Sequence, residues 1–393
     1  MANKYIQIHT ITGYSTVLLN RDDSGMAKRM VYGGGTRTRA SSQFVKRKLR
    51  VAEGEASLAT LGGVSVRSRY TFGRAIAAPL VAEGLNEDAV VTATLGLMNA
   101  IYGKSEKQVE KEKKEAAKAA AKGEVQAKKS ADELLKRDEL IILGRNEIDY
   151  LKSLIREFVS ASEEVTDVEK AVAAFVADKG VKERLSGMKN TSLDMAAFGR
   201  MVTGDFLSSM DAAVHVAHAI TVHSQHSEVD FFTAVDDLGG EQKDSVAHVG
   251  ETEVNSPLLY GYYVIDWNQL VENLSGLDDA EAVAKEMVAR IIELASTQVV
   301  GAKKGSTAPY STADFLMVEV GSAAPRTLAE AFRKPTAGTL EAGVEALASY
   351  INKKDKLYGN TAKRSVMSMV DVDINDASTS NLAGIKSATV EAI

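Results

Sequence analysis

Ala212–His223, AAVHVAHAITVH, alternates strictly, placing Val214, Val216, His218, Ile220 and Val222 on one face of an extended chain. A period of two predicts a strand, and it removes the helix on which three-residue histidine spacing would bring ligands together. In a strand His215 and His218 point to opposite faces, and no Cys or well-placed carboxylate completes a set with His223 and His226. These four read as ordinary sheet or loop histidines, and no metal is expected.

Working outward, Leu258–Ile265 (LLYGYYVI) is a second strand, and the polar stretch between the two strands is too long for a tight turn and too polar for a core. Upstream, Tyr5, Gln7, His9 and Ile11 alternate with Ile6, Ile8 and Thr10 in the manner of a half-buried strand. Ser41 or Ser42 suits the N-cap of a helix over about residues 43–53, with Gln43, Lys46, Arg47 and Arg50 on one face and Val45 and Leu49 on the other. Residues from about 75 to 189 carry a helical period. Within them, 104–139 holds eleven basic and nine acidic residues, a near balance that predicts a solvated, salt-bridge-laced helical insertion. Downstream, Val283, Met287, Val288, Ile291 and Leu294 give the apolar face of a helix over 281–298, and Phe315–Val320 is a further strand. The order strand, helix, insertion, strand, long hairpin, strand, helix, strand predicts an α+β fold, the split β-α-β of a ferredoxin-like or RRM domain with two insertions.

A chain of 393 residues with 45% hydrophobic content can bury one large core or two smaller ones. No stretch approaches the roughly 18 consecutive apolar residues of a membrane span. The opening MANKYIQIHT lacks the apolar core of a secretory signal, so a cytoplasmic location with no membrane partner is expected. Zero cysteines exclude disulfides, thiol catalysis and Cys-based zinc sites. The net charge of −6 conceals an asymmetry: from Arg21 to Arg50 nine basic residues face two acids, a local +7 that leaves −13 for the remainder. A basic surface on an acidic body holds one polyanion in one place.

Three runs crowd into that span, NRDDSG, GGGTRTR and SSQFVKRKLR. Basic side chains on a loop and on the next helix face can bind consecutive phosphates of a single strand, while Ser and Gln supply neutral donors; a solvated basic helix face is the competing reading. Gly33–Gly35 fits neither the Walker spacing nor the dinucleotide fingerprint, so no cofactor follows; close backbone approach to a phosphate, or a flexible turn, is its expected use. Adjacent Asp22 and Asp23 could hold a divalent ion for phosphodiester cleavage, making a metal-dependent ribonuclease the alternative function. No third acid or base lies nearby in sequence, and a turn in which an aspartate caps backbone amides or pairs with a neighbouring arginine is the favoured reading.

With NRDDSGMAKRMVYGGGTRTRASSQFVKRKLR, GRMVTGDF, HVAHAITVHSQHSEVDFFTAVDDL, AHVGETEVNSPLLYGYYVID and GAKKGSTAPY, the sequence resembles the repeated backbone, crRNA-binding subunit of the type I-E CRISPR Cascade complex over nearly its whole length. The region from about 75 to 189 matches poorly. The resemblance implies a non-enzymatic protein whose copies run head to tail along crRNA beside other Cascade subunits and meet target DNA through the guide. It implies an RRM-like palm (residues 1–74, 199–223 and 257–393), helical fingers (75–198) and a long β-hairpin thumb (224–256) that displaces a base. The implied RNA-binding residues are Arg21, Lys28, Arg37, Arg39, Ser41, Gln43, Lys46, Arg47 and Arg50, with Lys303 and Lys304. Phe232 and Met201 match positions of the base-displacing wedge, for which local core is the plainer reading.

Overall fold

The computed structural model describes residues 3–103, 130–201, 207, 209–235, 246–297, 301 and 303–393. They form two compact units, one of Met1–Leu61, Val214–Leu270 and Glu281–Ile393, the other of Gly62–Ala213 and Val271–Ala280. The first unit opens with β1 (Tyr5–Gly13), β2 (Arg29–Tyr32), β3 (Gly35–Ala40) and α1 (Ser42–Arg50). The second contains β4 (Val66–Ser68), α2 (Glu87–Tyr102), β5 (Ile141–Leu143), α3 (Arg145–Ser160) and α4 (Val165–Ala177). The first unit then resumes with β6 (Val214–Val216), β7 (Ala219–Thr221), β8 (Ser227–Val235), β9 (Val246–Asn255), β10 (Leu258–Asp266) and α5 (Ala280–Thr297). It ends with β11 (Phe315–Gly321), α6 (Leu340–Tyr358), β12 (Lys363–Ser368), β13 (Ala377–Thr379) and α7 (Leu382–Ala392).

One sheet organises the first unit, in the order β13-β12-β11-β1-β10-β7-β3-β2, with β6 also paired to β10. β1 lies between β10 and β11, antiparallel to both, with Ile11 facing Tyr260 on one side and Phe315 on the other. β1 departs from its half-buried reading, because Ile6 through Thr12 are all buried. Both faces of the sheet are covered. Val45 and Leu49 of α1 and Leu294 of α5 pack near Thr10 and Thr12, while α6 brings Gly343 against Ile11, Val222 and Leu258 on the other face. Alternation reports which side chains share a face, and a second cover over that face has no local signature.

The covering helix α6, with β12, β13 and α7, lies beyond the elements read from sequence. On its side of the sheet Glu319 is fully buried, with Arg364 Nε at 2.8 Å and His9 Nε2 at 3.2 Å, and Arg364 also pairs with Asp355. Burial alone would raise the Glu319 carboxyl; the hydrogen bond and charge of His9, with Arg364, outweigh it and hold the group down at about 2.

The strand expected over 212–223 is interrupted. Val216 faces Tyr263 and Ile220 faces Tyr260, so four steps along one strand match three along the other, and one extra residue sits at Ala217–His218. This β-bulge turns Ile220 and Val222 to the face opposite Val214 and Val216, correcting the single-face reading.

The second unit is built on Phe72, Leu97, Leu151 and Val168, buried among α2, α3 and α4, with the short β4–β5 ladder added. Of the Lys/Ala/Glu-rich run, 104–129 lies outside the described residues. No helix among the described residues is long and apolar enough to cross a membrane.

Candidate nucleic-acid interface

α1 begins where β3 ends. Ser41 is its N-cap, the hydroxyl accepting from the Phe44 amide at 3.4 Å. Val45 and Leu49 point into the core; Gln43 and Arg47 are exposed and Lys46 and Arg50 half-buried on the outer side. The first turn carries no acid and the last carries Arg47, Lys48 and Arg50, charges that suit the carbonyl end of a helix. The helix stops at Arg50, ahead of the expected residue 53, and Gly54 follows at φ +87 in a conformation no helix continues.

The bulge places His218 at the start of α1. The Ser42 amide donates to His218 Nδ1 at 3.1 Å, and Arg39 Nη1 lies 3.3 Å from the same nitrogen. Partial burial first, then the charges of Arg39 and Lys28, lower the His218 pKa and favour the neutral ring that can accept. Among the described residues no group of three His, Cys, Asp or Glu side chains could hold a metal ion.

The loop before β2 leans on the same helix end. Asn20 Oδ1 accepts from the Ser41 amide at 3.0 Å, and the Arg39 amide donates to the Lys28 carbonyl at 2.9 Å. Arg21 is exposed and Lys28 half-buried. Asp22 Oδ1 accepts from the amides of Ser24 (2.9 Å) and Met26 (3.0 Å), so that carboxylate closes its own turn, while Asp23 is exposed. Glu253, buried on β9, accepts from the Ala27 amide at 2.6 Å and pairs with Arg29, fastening the basic loop to the foot of the β8–β9 hairpin.

Three expected phosphate contacts are used otherwise. Arg37 is fully buried, its guanidinium donating to the carbonyls of Thr221 (3.0 Å), Phe332 (2.6 Å) and Tyr32 (3.4 Å), and burial lowers its pKa. It ties β2 and β3 to β7 and to the segment before α6. Ser41 is buried and occupied as the cap. Gly33, at φ +61, makes its close approach to the Arg333 carbonyl, where a Cβ would sit 1.6 Å away.

Lys303 and Lys304 are exposed; Lys303 Nζ donates to Thr252 of β9 at 2.6 Å, and Lys304 shares a groove with Arg47 and Lys48. Phe232 on β8 is 44% exposed, and its ring lies across Gly250 of β9, where a Cβ would be 2.5 Å from the ring. Val229 and Phe231 are exposed on the other side of the ribbon. Residues 236–245, its far end, lie outside the described residues. Met201, in the second unit, is 91% exposed, which excludes local core packing for it.

Residues 6–392 match the family model described as CT1975-like protein. The chain belongs to the CT1975-like protein family. A chain solved in a "CRISPR RNA-guided surveillance complex, pre-nicking" is 25% identical to this CT1975-like protein, covering 99% of it and 100% of its own length with a TM-score of 0.79. A chain of a "CRISPR RNA-guided surveillance complex" is 21% identical, covers 99% of each chain at a TM-score of 0.57, and shows a shared fold. No curated protein matches.

Two residues that position this CT1975-like site escape sequence reasoning. His218 was legible as a strand histidine, but the bulge that aims it at α1 leaves no mark on the alternation. Glu253 is one of several acids in a polar hairpin, and its link to Arg29 spans 224 positions.

Proposed function

We propose that this CT1975-like protein is the repeated, non-catalytic backbone subunit of a type I-E CRISPR Cascade complex. Copies polymerise head to tail along crRNA, hold its phosphate backbone, displace bases with the β8–β9 thumb and present guide segments for pairing with target DNA in antiviral defence. The observation that carries this reading is the outer face of α1, Gln43, Lys46, Arg47 and Arg50, set beside Arg21 and Lys28 on a loop that Glu253 fastens to the hairpin foot. Such a surface reads phosphates, as a holder of variable guides must, and leaves bases to complementary pairing.

Further support comes from the order β11-β1-β10-β7 with every neighbouring pair antiparallel, which is that of a split β-α-β unit and fits an RRM-like palm. The helices of the second unit fit the fingers, and exposed Phe232 and Met201 fit the wedge. The cytoplasm, where guide and invading DNA meet, is the expected location. Replacing Lys46 and Arg50 together by Glu abolishes assembly on guide RNA in a gel-shift assay. Unchanged assembly overturns the reading, as would magnesium-dependent cleavage of complementary RNA that is lost in Asp22→Ala or Asp23→Ala.

A further inference from the structure

An open cleft of about 960 Å³ lies at the foot of the β8–β9 hairpin, bounded by Thr16, His223, Ser224, His226–Glu228, Val254–Ser256 and Thr336–Gly338. Its volume falls at the upper end of small-ligand sites, about 300–1,000 Å³, and admits a nucleoside. His223 is fixed within it: Nδ1 donates to the Ser224 carbonyl at 2.6 Å and Nε2 accepts from the Leu258 amide at 3.1 Å. Gly338, at φ +86, backs this ring, a Cβ there lying 3.4 Å from His223 Cγ. With both nitrogens engaged, His223 offers a face and no proton. The exposed His226 ring lies within 11° of parallel to it, centroids 6.5 Å apart. That separation lies within the range of about 4.5–7 Å for direct aromatic pairs, so the two rings pair with each other and a planar base can add to the outer face of the exposed His226.

Asn255 stands in the wall of the cleft. Asn255 is 5% exposed; its Nδ2 donates to Thr38 Oγ1 at 3.3 Å, while its Oδ1 has no hydrogen-bond partner. A buried acceptor left unmatched calls for a donor from elsewhere. The cleft also adjoins the segments that flank the basic loop: Asn255 and Val17 exchange backbone hydrogen bonds at 2.8 and 2.9 Å, and Gln225, between Ser224 and His226, donates its amide to the Thr36 carbonyl of β3 at 2.8 Å.

We propose that this cleft takes one unstacked nucleobase of the bound single strand, stacked on the imidazole of His226, with the buried Asn255 side chain turning so that Oδ1 accepts from the base's exocyclic amino group. Proteins that read single-stranded RNA combine a flat side-chain face with a hydrogen bond to the base edge. Stacking tolerates any base, while the lone acceptor favours adenine, cytosine and guanine over uracil. The proposal rests on the RNA-binding reading above and adds a base contact to its phosphate contacts.

The test uses the full chain and single-stranded RNA carrying one 2-aminopurine at successive positions. Wild type quenches the fluorophore at a subset of positions. His226→Ala, an exposed substitution, removes that quenching and weakens binding by about 5- to 150-fold, the range for loss of one stacked base. His226→Phe, which keeps a flat face, retains both. RNA bound as tightly by His226→Ala, with quenching unchanged, overturns the base site alone. Wild type that binds no RNA, or binding insensitive to the Lys46 and Arg50 reversal, overturns the RNA-binding reading and this site with it.

Discussion

Glu319 carries the clearest pH signature among single residues. Its folded-state pKa of about 2 is depressed below the ordinary 4.5, so the folded protein binds that proton more weakly than the unfolded chain. The stability it contributes is therefore complete above pH 4.5 and disappears as pH falls toward 2, on the order of a few kcal/mol in all. Urea midpoints measured from pH 7 down to pH 2.5 fall steeply in wild type below about 4.5 and more gently in Glu319→Gln; equal slopes would show that another acid dominates. Arg37 marks where single residues stopped being legible. Arg37 and Arg39 share one side of β3 by the period of two, yet the first is fully buried and the second half-exposed. What covers Arg37 is the Phe332 carbonyl, 295 positions away, and no local pattern encodes a cover of that kind.

The element that decides the candidate interface is α1, whose residues were legible because capping, the Val45/Leu49 stripe and the basic face all lie within one turn or two of each other. Its orientation was not legible, since it depends on the bulge in Ala212–His223. Alternation continues through a bulge unchanged in sequence while the facing strand shifts by one residue. His218→Leu removes the acceptor for the Ser42 amide and should cost about 1 kcal/mol of stability, comparable to loss of a cap. Because α1 and Arg39 lose a shared anchor, RNA affinity should fall as well. His218→Gln, whose side-chain oxygen can accept the same hydrogen bond, should recover much of both. Urea denaturation and gel shifts on the two variants separate the outcomes, and a His218→Leu protein that binds RNA like wild type would remove the bulge from the account of the site.

At the scale of the whole molecule, the proposed function asks an acidic chain of net charge −6 to hold a polyanion. Screening makes this workable: beyond about 8 Å at physiological ionic strength the repulsion of a distant acid is largely lost, while a cation in contact with phosphate keeps its effect. Binding should then follow the local count of surface cations. Of the cations implied as phosphate contacts there, Arg37 is withdrawn into the core and Arg39 is turned to His218, which leaves Arg21, Lys28, Lys46, Arg47 and Arg50 on the loop and α1. Five phosphates neutralised on a single strand at about 0.7 each give a slope near −3.5 in log K against log salt for a short RNA bound by one subunit. Arg47→Ala should lower the magnitude of that slope by about 0.7. Charge reversal tests whether the surface matters; the slope tests how many of its cations meet phosphate. A slope near zero with tight binding would mean that the RNA is held by its bases, and the basic face of α1 would revert to a solvated surface.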